Sequence, residues 1–279
     1  MQSWDLDRKT QVTTARIMEW YEHYNGLVYV AFSGGKDSTV LLDLVRRIYP
    51  DVPAVFCDTG LEFPEIRQFA MSVDNVVVLR PEMNFKKVIE TYGYPIVSKR
   101  VADTVEYGHK PGSFRWKELH GEIIRSNGTK SEFNCEKWCY LLDAPFKVSS
   151  RCCNIMKKKP MKKYSKETGR VPIIATMADE SRSRRSVWMS TGCNAFQKKS
   201  PSSQPMSFWT ENDVLEYIHT YNIPYASVYG DIVPCGGGGQ RQAKKEPGVC
   251  FALLALIWRS LQTVFSGSNS LIQSCGSIA

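Results

Sequence analysis

No apolar run in the 279 residues approaches the roughly 18 needed to cross a bilayer. The opening stretch, Met1-Gln2-Ser3-Trp4-Asp5-Leu6-Asp7, lacks the basic-then-apolar pattern of a secretory signal. No membrane partner is therefore expected, and the expected location is the cytoplasm. The glycine-x4-glycine-lysine spacing is missing too, which excludes a Walker phosphate loop. No internal repeat is present. From Pro247 to Ala279 there is no acidic residue, and Arg259 is the only formally charged side chain, so no element can be read from that stretch.

The composition is that of an ordinary globular chain. With 43% hydrophobic residues it can bury a substantial core as one large domain, or one domain plus an appendage. Nine cysteines in an unsecreted chain read as thiols or metal ligands rather than as a disulfide framework. The formal charge of +8 favours anionic partners such as nucleotides, tRNA or DNA without choosing among them. Much of the excess sits in Lys157, Lys158, Lys159, Lys162, Lys163 and Lys166, a run that reads equally as a solvated helix face.

Helical spacing of Val12, Ile17, Trp20 and Tyr21 predicts a helix over about 8–24. Residues 27–32 are a short apolar run with β-branched members, bounded by Gly26 and a Ser-Gly-Gly turn, and predict a buried strand. Helical spacing returns from Thr39 to Ile48. The pattern recurs as strand 53–57, helix 64–71 and strand 75–79, and a fourth strand is expected at 171–176. This alternation implies a doubly wound, mostly parallel α/β sheet with helices on both faces, Rossmann-like in architecture. An N-terminal helix (1–26) precedes a nucleotide-binding domain (27–233), which carries a helical or irregular insert at about 98–150. A helix is expected from Glu211 to Tyr221 with Thr210 as its N-cap. Residues 234–279 form an atypical tail.

The segment Ser33-Gly34-Gly35-Lys36-Asp37-Ser38 lies between the first strand and its helix, where N–H groups at a helix start can converge on an anion. Gly34 and Gly35 let the backbone approach phosphate oxygens, Lys36 can neutralise charge, and the Ser33 and Ser38 hydroxyls can donate hydrogen bonds. A structural glycine turn is the plainer reading. The six residues resemble the signature of the PP-loop ATP pyrophosphatases, the adenine nucleotide alpha hydrolase-like superfamily. That resemblance implies a loop that holds the pyrophosphate of ATP, with magnesium, while an acceptor attacks the α-phosphorus.

Further segments resemble the phosphoadenosine phosphosulfate (PAPS) reductase branch. Cys57-Asp58-Thr59-Gly60-Leu61-Glu62-Phe63-Pro64 is similar to its Asp-Thr-Gly-x-x-Phe-Pro element, which makes Asp58, with Asp37, a candidate for holding a metal or orienting the nucleotide. Arg151-Cys152-Cys153-Asn154 resembles the paired-cysteine segment that supplies two ligands to an iron-sulfur cluster in some members. Buried free thiols are the plainer reading. Ala178-Asp179-Glu180-Ser181-Arg182-Ser183-Arg184 resembles an Asp/Glu-Ser-x-x-Arg segment, and implies Arg184, with Arg182, as a clamp for phosphate or sulfate. Pro205 to Val214 resembles a structural Pro-x-x-x-Trp-x-x-x-Asp-Val element.

Two departures from the branch bear on function. The loop keeps the Lys-Asp pair that PAPS reductases usually lose, which favours ATP over PAPS; Met177 and Ala178 stand where arginine is common. The family's second cysteine pair is reduced to Cys250 alone, with Cys235, Cys275, or Cys135 and Cys139 as substitutes. The tail beyond about Gly236 reads as an altered or frame-shifted family terminus. The expectation is thus an ATP-dependent adenylyl- or sulfur-transfer enzyme, with a sulfur donor and a nucleic-acid acceptor such as tRNA or DNA. Two alternatives stand beside it: a thioredoxin-coupled reductase of PAPS or adenylyl sulfate, and a non-catalytic nucleotide or nucleic-acid-binding module.

Overall fold

The computed structural model describes residues 1–235 and 239–242. Most of the atypical tail, with Cys250 and Cys275, therefore lies outside the described residues. In chain order the elements are α1 (Leu6–His23), β1 (Val28–Phe32), α2 (Lys36–Arg46), β2 (Ala54–Cys57), α3 (Pro64–Ser72), β3 (Val76–Leu79), α4 (Phe85–Tyr92), α5 (Lys99–Tyr107), α6 (Phe114–Leu119), α7 (Lys159–Thr168), β4 (Val171–Ile174), α8 (Arg182–Thr191), β5 (Asn194–Ala195), β6 (Ser202–Ser203), α9 (Glu211–Tyr221), β7 (Ile232–Cys235) and β8 (Gly239–Gln242). Among the described residues no helix is long and apolar enough to cross a membrane.

The chain divides into two units. The first comprises, of the described residues, 1–58, 62–80, 159–235 and 239–242. It holds a six-stranded sheet of order β3-β2-β1-β4-β6-β5, parallel throughout except for β5, which runs antiparallel at one edge. Successive residues of β1 serve opposite faces, as the pleat requires. Val28, Val30 and Phe32 join a cluster with Ile17 and Trp20 of α1, Leu41 and Val45 of α2, and Val214 and Ile218 of α9. Tyr29 instead meets α7, its hydroxyl 3.2 Å from Ser165 and its ring edge-on to Tyr164. Helices thus cover both faces, the doubly wound α/β arrangement expected. β7 and β8 form a separate antiparallel pair.

Helix α2 starts at Lys36, three residues before the expected Thr39, because Gly35 already takes the N-cap conformation. β4 stops at Ile174, short of Thr176. The lysine-rich helix α7 has no buried residue, in keeping with a solvated face. At the other end of the unit, Trp209 is fully buried and donates its indole N–H to the Thr13 hydroxyl at 2.8 Å. Next to it Asp213 shares a capping box with Thr210 and pairs with the buried Lys9 at 2.6 Å, fastening α9 to α1. The Trp-to-Asp segment is structural, as expected.

The second unit, described residues 59–61 and 81–158, has α4 to α6, irregular connections, a 3-10 turn at Glu136–Asp143 and a π turn at Asn154–Lys158. Its apolar cluster includes Val88, Val101, Val105, Leu119 and Met156. Glu118 is buried in it and satisfied by Arg100, by Arg115 at 2.7 Å and by the Thr104 hydroxyl at 3.4 Å.

Candidate functional site

Because β1 to β4 are parallel and in register, with Phe32 beside Phe56, Cys57 beside Leu79 and Ala31 beside Ile174, the chain leaves all four strands at one edge. The loop 33–38, Asp58, Arg80 and the segment 175–184 start there. In open α/β sheets this carboxyl edge is where ligands are received.

The loop is fixed by its own hydroxyls. Ser33 and Ser38 Oγ lie 3.0 Å apart, Gly35 N–H donates to Ser33 Oγ at 3.3 Å, and the Ser38 and Thr39 hydroxyls donate to the Gly35 carbonyl at 2.9 and 3.0 Å. Gly34 has φ +73°, and a Cβ there would stand 2.9 Å from the Ile66 carbonyl oxygen, so neither the backbone nor α3 leaves room for a side chain. Lys36, Asp37 and Ser38 form the first turn of α2, whose N–H groups point back at the loop, with the positive end of the helix dipole behind them. The Lys36 side chain is buried. Its Nζ is 3.3 Å from Asp37, 3.7 Å from Glu211 and 5.9 Å from the centre of the Tyr229 ring.

Asp58 is buried, and both its oxygens accept from Arg67 Nε at 3.1 and 3.2 Å, with Arg80 Nε at 3.9 Å. The hydrogen bonds donated to Asp58, and then the carboxylate's charge, raise the Arg67 pKa above its ordinary value. A carboxylate so engaged does not fit a magnesium site as it stands. Its evident action is to hold two guanidinium groups at the strand edge. Asp37, the other acidic candidate, lies in the first turn of α2 and pairs with Lys36 at 3.3 Å.

Arg184 lies in the first turn of α8, in an ion pair with Glu180, while Arg185 faces Asp179 at 3.7 Å; Arg182 is exposed beside them. Met177 and Ala178, standing where arginine was expected on family grounds, are buried. Sequence reading missed Arg67, Arg80, Tyr229 and Glu211. None sits in a pattern that signals a site: each becomes adjacent only through the strand order or the packing of α3 and α9.

The paired cysteines belong to the second unit. Cys152 is buried and Cys153 exposed. A hydrogen bond from the Cys152 thiol, aided by Lys99, Lys157 and Lys158, holds Cys153 down to about 6 against the opposing effect of desolvation. The same bond, with burial, pushes Cys152 up. That lowering favours the thiolate of Cys153 over that of an ordinary cysteine. Cys250 lies outside the described residues, and among the described residues no three metal-ligating side chains come together. Among the described residues, Cys152 and Cys153 supply two of the four thiolates that a cluster takes.

A parallel sheet with a glycine turn opening a helix at its carboxyl edge defines a doubly wound α/β protein of the kind that receives ligands at strand ends. More narrowly, the chain belongs to the family of the phosphoadenosine phosphosulfate reductase domain, whose profile matches residues 27–104 and 125–235. It is 26% identical to an adenosine 5'-phosphosulfate reductase of Geobacillus kaustophilus over 212 residues, 75% of this chain and 70% of that one. It is also 33% identical to an uncharacterized protein of Methanocaldococcus jannaschii over 105 residues, 36% of this chain but only 25% of the archaeal protein's length. Among solved structures it is similar to a phosphoadenylyl-sulfate reductase of Candida auris, at 14% identity and TM-score 0.44, covering 80% of this chain and 88% of the other. It is likewise similar to the U34-tRNA thiolase NcsA of Methanococcus maripaludis with its [4Fe-4S] cluster, at 14% identity and TM-score 0.38, covering 89% and 72%. Both scores are below 0.5, and the fold assignment stands on strand order and register instead.

Proposed function

We propose that the chain is an adenine-nucleotide enzyme of sulfur chemistry in which the loop 33–38 binds the pyrophosphate of ATP. The observation that carries this is the loop itself: a left-handed Gly34, a hydroxyl-braced turn and a buried Lys36 at the start of α2. In the adenylyl step an acceptor oxygen attacks the α-phosphorus, the bond to the bridging oxygen breaks and pyrophosphate leaves. The protein contributes position and charge. Backbone N–H groups of the turn and the Lys36 ammonium hold the charge that grows on the departing pyrophosphate. Arg67 and Arg80, aligned by Asp58, and Arg184 with Arg182 are the further candidates for the substrate's anionic groups. Magnesium, when bound with the nucleotide, would screen the phosphates beside Asp37. Cys153 is the candidate nucleophile for the sulfur step, with Cys152 as its hydrogen-bond donor.

The direct test is pyrophosphate release from labelled ATP with candidate tRNA or DNA acceptors and a sulfide source. Saturable ATP binding with no pyrophosphate release under any acceptor would leave only a nucleotide-binding module. A second reading, reduction of adenylyl sulfate or PAPS with a thioredoxin-like reductant, is supported by the similarity to adenosine 5'-phosphosulfate reductase over three quarters of this chain. Sulfite production from adenylyl sulfate would establish that reading in place of the first.

A further inference from the structure

The second unit holds a thiol and an imidazole that the reading above does not use. His120 follows α6, and its ring is fixed on two sides. Nδ1 lies 2.8 Å from the Trp116 carbonyl oxygen, and the ring stacks on the Trp116 indole at 3.9 Å between centroids and 20° between planes. A carbonyl oxygen only accepts, so Nδ1 carries the proton of the neutral ring and Nε2 presents its lone pair. That nitrogen is 3.8 Å from Cys139 Sγ. Cys139 arrives from a different element, the 3-10 turn Glu136–Asp143, and is half-buried, while His120 is exposed.

The two elements are brought together by Gly121, whose φ is +70° and whose missing Cβ leaves the space filled by the Glu136 carboxylate. Glu136 is itself paired with Lys130 at 3.1 Å, and Lys137 lies over the Trp138 ring at 5.3 Å. Glu136 and Lys137, which flank Cys139 in the turn, are thus each engaged with a partner of their own. Thiol, proton acceptor and an orienting carbonyl stand in series, which is the arrangement of an activated nucleophile.

We propose that Cys139 and His120 form a nucleophilic pair that attacks the sulfur of a disulfide, a site of thiol–disulfide exchange separate from Cys152 and Cys153. Exchange needs a thiolate, somewhere for its proton to go and access for the partner, with no oxyanion to stabilise. The Cys139 thiol passes its proton to His120 Nε2 and its sulfur bonds one sulfur of the disulfide. The S–S bond breaks, and the departing thiolate takes the proton from the imidazolium. Cys139 is oxidised to a mixed disulfide while the released half of the substrate is reduced to a thiol, so electrons and protons balance.

The test incubates the full chain with oxidised glutathione at neutral pH and follows the mixed disulfide at each cysteine by peptide mass mapping. Cys139 is expected to react at least tenfold faster than the same cysteine in a short peptide spanning residues 137–140, a modest share of what a positioned base supplies. His120→Gly should remove that advantage, free imidazole should restore it, and Cys153 should keep its rate as an internal measure of folding. A wild-type Cys139 no faster than the peptide would overturn the proposal whatever the variants do. So would a His120→Gly protein that reacts as the wild type does, or one whose lost rate imidazole fails to restore.

Discussion

The two units solve the problem of buried charge differently. In the first, Lys9 and Asp213 form an ion pair inside the core, both almost fully buried, with the remaining carboxylate oxygen bonds taken by the Thr210 N–H and hydroxyl. In the second, Glu118 is fully buried, but its partners Arg100 and Arg115 are 41% and 34% exposed, so water shares the load. The comparison teaches where each unit can tolerate change. The sheet unit has a dry core, and its carboxyl edge is where we propose the phosphate chemistry takes place. In the second unit the cations that satisfy Glu118 reach solvent, and Cys153 is exposed beside the buried Cys152.

That contrast can be broken most strongly at Lys9. Lys9→Ala leaves Asp213 buried without its cation and is expected to destabilise the first unit by about 3–5 kcal/mol. Denaturant unfolding, read with hydrogen exchange on α1 and α9, measures it, and a loss under 1 kcal/mol would mean the pair behaves like a surface bridge. Next comes Gly34→Ala, where a left-handed φ and the Ile66 carbonyl both oppose a methyl group. A loss of about 2–4 kcal/mol is expected, together with loss of nucleotide binding. Glu118→Gln should be milder, about 1–3 kcal/mol and confined to exchange protection in α5 and α6, because its arginines can turn to water.

The smallest effect sharpens the comparison on the chemical side. With its thiol held down to about 6, Cys153 should alkylate at a rate that climbs as pH rises through 6 and is level above 7. Lys99→Ala should move that climb upward, and Cys152→Ser should move it less, since a hydroxyl still donates. A Cys153 profile that climbs only near the ordinary thiol range would contradict the thiolate assigned to it.

The first unit was legible from sequence for physical reasons that the second does not share. Val28 to Phe32 is buried on both faces, so its apolar run stands out, and the loop that follows is contiguous in sequence, so its residue types declare it. Asp58 was legible as a residue but not in its behaviour. Its partners lie nine residues on, on the open face of α3, and after β3, where only the register brings Arg80 close. β5 and β6 are two-residue strands, Asn194-Ala195 and Ser202-Ser203, with no strand-forming side chains to announce them. The ionic cluster at Glu118 and the pair at His120 and Cys139 join residues of separate short helices and turns, whose spacing carries no period. The π turn after Cys153 is equally silent, since Asn154 to Lys158 differs from an ordinary helix in hydrogen bonding rather than in composition.

The most direct measurement is a calorimetric titration of the whole chain with ATP and magnesium, repeated with PAPS and with Lys36→Ala. Saturable binding of ATP, tighter than that of PAPS and weakened about tenfold or more by the substitution, is expected if the buried ammonium meets the phosphates. ATP binding that is absent, or indifferent to Lys36, would contradict the assignment of the loop.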